Sequence, residues 1–190
     1  MIAGQTVRFH LAPGQRRSSL HTSHAFGLGQ TYLLGFDIHR GATPLPARPV
    51  TIARLMRGTG TPGAPETEIA AIRLDARNGI TAFGRQCIPA AQLTRWHSVE
   101  LRVAMADDDT GYLELFCDRR PVWAQQKTRT TLPPPCRRAQ GCTRPVPPPV
   151  RYDWQLGLIA AGPVRQPLGL DMRRIFYHRL FVIPNRVGTL

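Results

Sequence analysis

Four arginines stand where an anion could be held: Arg16 and Arg17, between Gly14 and the Ser18-Ser19 pair, and Arg54 and Arg102, each in the middle of an apolar run. A guanidinium grips a carboxylate or sulfate through paired, charge-assisted hydrogen bonds, which a solvated ammonium cannot copy. Proton transfer needs other groups, and His10, His39, His97, Tyr177 and His178 supply them. Each residue also has a plainer reading. Arg16 and Arg17 suit a solvated turn; Arg54 and Arg102 either line a groove or extend from a wet face. His10 and His39 face away from Phe9 and Ile38 and would equally meet solvent. Tyr177 shares a face with Ile175, as a core aromatic would, and His178 lies on the opposite face.

Other chemistries fit less well. The chain has no GxSxG turn, no phosphate-cradling glycine loop and no paired carboxylates at strand or helix spacing. Asp107-Asp108-Asp109 reads as a hairpin tip, since its spacing departs from a Ca²⁺ loop. The four cysteines include no CxxC pair, so no metal site and no cofactor are expected. They are too sparse for a disulfide scaffold; Cys136 and Cys142 are close enough to bridge locally in an oxidising compartment.

The net charge is +13, from 25 basic residues of which Lys127 is the only lysine. Such a field concentrates polyanions, whether acidic polysaccharide, nucleic acid or an anionic membrane surface. Nucleic acid is the weaker partner, because no RNP-like aromatic pair and no groove-reading helix are evident. No apolar run reaches the roughly 18 residues needed to span a bilayer, and the N-terminus lacks a secretory pattern, so a soluble chain without membrane insertion is expected.

The elements that must position these residues are strands. Alternation predicts them at Val7–Leu11, Thr31–His39, Val50–Met56, Trp96–Val103, Gly111–Asp118, Tyr152–Ile159 and Met172–Ile183, the last with apolar residues on both faces. Glu68–Leu74 and Ile80–Arg85 form a hairpin about Asn78-Gly79. Residues 12–30 read as a Gly/Arg/Ser turn region, and Ile88–Leu93 as one helical turn. Seven prolines between Leu132 and Val150 make that stretch a surface loop. Trp96 and Trp154 read as strand-core residues and Trp123, beside Pro121, as an exposed platform. One all-β domain, an antiparallel sandwich spanning residues 1–190, accounts for the pattern.

The order Phe9-His-Leu-Ala-Pro-Gly-Gln-Arg-Arg-Ser-Ser-Leu20, Phe26 to Phe36, Thr51 to Met56, Trp96 to Val103, Gly111 to Cys117 and Gln155-Leu-Gly-Leu158 resembles the heparin-lyase-I-like polysaccharide lyases. The resemblance implies a concanavalin-like β-jelly roll that acts on a uronate polysaccharide by β-elimination. It places Arg17-Ser-Ser19 at an Arg-x-Glu strand, Ile52-Ala-Arg54-Leu55-Met56 at an Ile-Ala-Gln-aromatic-His strand, and Gln155-Leu-Gly157-Leu-Ile159 at a Lys-x-Gly-x-Tyr strand. It thus adds Gln155 to the substrate-binding set of Arg16, Arg17, Arg54 and Arg102, and assigns proton transfer to a choice among His10, His39, Tyr177 and His178. The alternative is a non-catalytic carbohydrate-binding jelly roll.

Overall fold

The computed structural model describes residues 5–24, 26–27, 29–58, 67–130 and 151–180. Twelve strands are present among them: β1 Val7–Leu11, β2 Arg17–His24, β3 Thr31–His39, β4 Val50–Gly58, β5 Thr67–Asp75, β6 Gly79–Ala82, β7 Arg85–Ile88, β8 His97–Ala104, β9 Tyr112–Cys117, β10 Arg120–Gln125, β11 Arg151–Ile159 and β12 Leu168–Leu180. A single 3₁₀ turn, Ala90–Gln92, interrupts them where one helical turn is expected. No helix among the described residues is long and apolar enough to cross a membrane. The Pro-rich stretch, Cys136, Cys142 and the end of the last expected strand lie outside the described residues.

Two six-stranded antiparallel sheets stack face to face, one in the order β1-β12-β3-β8-β9-β10 and the other β2-β11-β4-β5-β6-β7. Alternation drives the stacking. Leu34, Phe36 and Ile38 of β3, Val99, Leu101 and Val103 of β8, and Leu113 and Leu115 of β9 turn inward from the first sheet. Leu55, Ile72, Leu74, Trp154 and Leu156 answer from the second, and the Phe36 and Trp154 rings meet across the gap at 6.5 Å between centroids.

Turn chemistry sets the registers. Asp75 Oδ1 accepts from the backbone N–H of Arg77 (2.8 Å) and Asn78 (2.6 Å), closing the β5–β6 hairpin before Gly79. The strand expected to run from Ile80 to Arg85 instead breaks at Phe83-Gly84, where both residues have positive φ, 52° and 71°. That backbone matches the right-handed twist of a two-residue hairpin, and Phe83 is held there by Trp123, stacked at 3.8 Å. Trp123 is therefore packed on one face and not the free platform that Pro121 suggested. Asp118-Arg119 make the same kind of turn between β9 and β10.

Two other expectations change. Residues 17–24 are a strand, not a turn region, because β11 supplies an unbroken ladder from Ile159↔Arg17 to Tyr152↔His24. In β12 the register shifts between Arg173 and Phe176, with Arg174 at φ 48°, so one extra residue bends the strand. Beyond that bulge β12 is not buried on both sides: Tyr177, paired with Leu34, is 40% exposed.

Cys87 of β7 and Cys117 of β9 form a disulfide that joins one sheet to the other across 30 residues of sequence. Closing a loop of that length restricts the unfolded chain and stabilises the fold by about 3–4 kcal/mol in the chain-entropy treatment. Reduction should lower the denaturation midpoint accordingly, measured by guanidinium unfolding with and without a thiol reductant; an unchanged midpoint would mean that the bridge contributes nothing.

Candidate functional site

Strands β2, β11 and β4 lie side by side, so residues of one cross-strand row share a face. Gln155 is paired with His21 on one side and Arg54 on the other; Gly157 is paired with Ser19, and Ile159 with Arg17. Trp154 and Leu156 point into the core, so Gln155 and Asp153 face outward. Arg17, Ser19 and His21 recur at every second position of β2 and stand along the same outer face.

Gln155 is the centre of the cluster. Although it lies on the outer face it is only 2% exposed. Its Oε1 accepts from Arg54 Nε at 2.7 Å and Arg17 Nη2 at 2.9 Å, and its Nε2 donates to Asp153 Oδ2 at 3.1 Å. Arg17 Nε also donates to Ser19 Oγ at 2.8 Å, and Arg17 Nη2 meets His21 Nε2. Ser19 Oγ lies 3.2 Å from His21 Nε2, and His21 Nδ1 lies 3.3 Å from Asp153 Oδ2. Two guanidiniums therefore converge on a neutral amide oxygen. Among the described residues neither has a carboxylate within ion-pair distance, and the one acid of the cluster, Asp153, is reached only through Gln155 and His21. Like charges held this close favour an incoming anion, which would relieve their repulsion.

The opposite outer face behaves differently. A cavity of about 410 Å³ is lined by Asp37, Trp96, His97, Asp118, Arg173 and Arg174, among others. Two of its three arginines are already committed: Arg174 binds both oxygens of buried Asp37, at 2.6 and 2.5 Å, and Arg173 Nε reaches the same carboxylate at 3.2 Å while its guanidinium lies 4.3 Å from the Trp96 ring centroid. Trp96 is thus a half-buried stacking partner and not a core residue. His97 is buried between Asp118 Oδ2 (2.8 Å) and the Gln92 carbonyl (2.9 Å). Burial opposes the charge of Asp118, but hydrogen bonds from His97 and the Ser98 N–H outweigh it and hold the carboxyl below its usual range.

Of the sequence-derived candidates, the structure brings together Arg17, Arg54 and Gln155. Arg16 is exposed just before β2 and reaches the Ala161 carbonyl at 3.4 Å. Arg102 belongs to the other sheet, where it pairs with Glu114 at 2.9 Å and lies 5.0 Å from the Phe116 ring centroid. The four proton-transfer candidates are also on that other sheet. His10 is exposed on β1, His39 is fixed by Trp96, the Thr94 carbonyl and the Gly41 N–H, and Tyr177 and His178 follow the β12 bulge, His178 stacked on Phe176. Ser19, His21 and Asp153 escaped the sequence reading as a group. The signal available was the Arg17, Ser19, His21 spacing of two, which marks one face of a strand once residues 17–24 are recognised as one.

No protein-family model and no curated protein matches this sequence. Solved structures do match the fold. An endo-β-1,4-glucuronan lyase from the fungus Trichoderma reesei is 16% identical with a TM-score of 0.57, covering 92% of this chain and 78% of that one. Alginate lyase vAL-1 from Chlorella virus is 10% identical with a TM-score of 0.62, covering 92% and 85%. A double mutant of alginate lyase Aly36B in complex with alginate trisaccharide is 11% identical with a TM-score of 0.60, covering 95% and 84%. The chain is an all-β antiparallel sandwich with the jelly-roll fold of these polysaccharide lyases.

Proposed function

We infer that the outer face of β2, β11 and β4 binds a uronate-containing polysaccharide, with Arg17 and Arg54 gripping a sugar carboxylate and Gln155 holding both guanidiniums in place. The observation that carries this reading is their convergence on the Gln155 amide oxygen. A carboxylate replacing or joining that oxygen would gain charge-assisted hydrogen bonds worth about 1.5–3 kcal/mol each. The jelly-roll neighbours are named for lyases of glucuronan and alginate, and one was solved with an alginate trisaccharide. Both named polymers are polyuronates, which supports the substrate class.

The same reading argues against β-elimination. The heparin-lyase-I-like resemblance expects a Tyr where β11 carries Ile159 and a His where β4 carries Met56. His10, His39, Tyr177 and His178 cannot stand in for them from the other sheet. The protein should be retained on immobilised alginate, polygalacturonate or glucuronan and released by salt, while the eluate and incubated polymer gain no ultraviolet absorbance from unsaturated uronate ends. Flow-through on every polyuronate would remove the binding reading, and a rising absorbance would restore the lyase.

A further inference from the structure

Ser19, His21 and Asp153 are more than bystanders to two arginines. Ser19 Oγ lies 3.2 Å from His21 Nε2, and His21 Nδ1 lies 3.3 Å from Asp153 Oδ2: a hydroxyl, an imidazole and a carboxylate in series. A guanidinium only donates, so the contact of Arg17 with Nε2 suits the tautomer that carries the ring proton on Nδ1, toward Asp153. That is the tautomer in which His21 can take a proton from Ser19. Arg17 Nε, 2.8 Å from Ser19 Oγ, places a fixed positive charge beside the position where a carbonyl oxygen attacked by Ser19 would become negative. The His21 and Asp153 side chains are 41% and 24% exposed, so the series opens on the surface that a polymer would cross.

We propose that Ser19, His21 and Asp153 form a nucleophilic triad and that this face hydrolyses O-acyl esters carried by an acidic glycan. Ser19 is the nucleophile, His21 the general base and Asp153 the positioning residue. As Ser19 Oγ bonds to the acyl carbon, its proton passes to His21 Nε2 and the carbonyl oxygen takes the negative charge beside Arg17. The intermediate collapses, the bond from acyl carbon to sugar oxygen breaks, and the Nε2 proton leaves on that oxygen as a sugar hydroxyl. Water then adds to the acyl carbon, giving a proton to Nε2; the carboxylic acid is released and Ser19 recovers its proton. In the unliganded protein Arg17 and Ser19 share the single lone pair of Nε2. A substrate anion that draws the Arg17 Nη2 toward itself leaves that lone pair to Ser19, which couples glycan binding to activation of the nucleophile.

The glycan half of this proposal rests on the binding function inferred above; the nucleophile does not. The test combines a fluorophosphonate probe, located by peptide mass spectrometry, with acetate release from O-acetylated alginate and retention on the same polymer. A covalent adduct on Ser19 and acetate release are expected. Ser19→Ala should lose both, and His21→Gln should slow both at least ~100-fold, each variant being checked for an unchanged thermal midpoint. Asp153→Asn should slow adduct formation and displace its pH–rate profile, which a merely structural role would not do. Retention on the polymer without an adduct on Ser19 would overturn the triad and leave the binding function standing. An adduct on Ser19 without retention or acetate release would overturn the glycan ester as substrate and leave the nucleophile standing.

Discussion

Arg54→Ala is expected to weaken binding to a polyuronate about 10- to 100-fold, while Arg102→Ala leaves it within about twofold. Both changes remove one unit of the +13 net charge, so the long-range field falls equally. What differs is the surroundings. Arg54 is one of two cations held on Gln155 without an ion-pair partner among the described residues, whereas Arg102 is already paired with Glu114. Losing the first removes a charge-assisted contact to the ligand worth roughly 1.5–3 kcal/mol, and 1.4 kcal/mol is about tenfold in affinity. Losing the second frees an acid on the other sheet. Affinity electrophoresis in gels containing alginate, at two salt concentrations, measures both variants side by side. Equal losses would show that the overall charge binds the polymer and that the Arg17–Arg54–Gln155 cluster is not a site.

Gly157→Ala should destabilise the fold by about 2–6 kcal/mol, the sum of a strained backbone and an overpacked contact. At roughly 2–4 °C per kcal/mol for a chain of this size, the thermal midpoint falls by at least several degrees. Gly157 has φ 127°, and a Cβ there would lie 2.2 Å from the Ser18 carbonyl oxygen and 2.7 Å from Phe9 Cδ1. Backbone is the first thing it meets, so no rotamer change relieves the clash. Gly162 is the internal control: nothing lies within 4 Å of its Cβ position and its φ is not in the left-handed region, so Gly162→Ala should be near neutral or slightly stabilising. Differential scanning calorimetry of the two variants decides the matter, and equal midpoints would mean that the β2–β11 approach is looser than described. Gly157 also faces Ser19 in the ladder, so a shift there would move the Arg17–Ser19–His21 row.

The strands legible in the sequence are those with one dry face. Val99, Leu101 and Val103 alternate with half-buried neighbours, as do Leu113, Leu115 and Cys117, and that contrast is what a period-of-two reading detects. β2 lacks the contrast: from Arg17 to His21 its residues are exposed or half-buried, and even Leu20 is 38% exposed at the sheet edge. Its identity as a strand comes from β11, which is 138 residues away in sequence at the Arg17–Gln155 contact. The candidate site was half legible for the same reason. Arg17, Arg54 and Gln155 could be named through motif order, but the pairing of His21 with Asp153 is a product of register alone. Tyr177 was misplaced in the core because a single extra residue in β12 changes its surroundings, and bulges leave little local signature. The Cys87–Cys117 bridge was equally hidden, since the sequence offers Cys87 three other cysteines and only the stacking of the sheets brings Cys117 to it.

That bridge also makes the sandwich asymmetric. It fastens β7, at one end of its sheet, to the neighbouring sheet, while β2 lies at the far end of the same sheet and is held by its ladder to β11 and by side-chain packing. Local opening follows the least fastened edge. A polymer lying across β2, β11 and β4 would tie that edge from outside, so ligand and disulfide act as two clasps at opposite margins of one sheet, the first reversible and the second covalent.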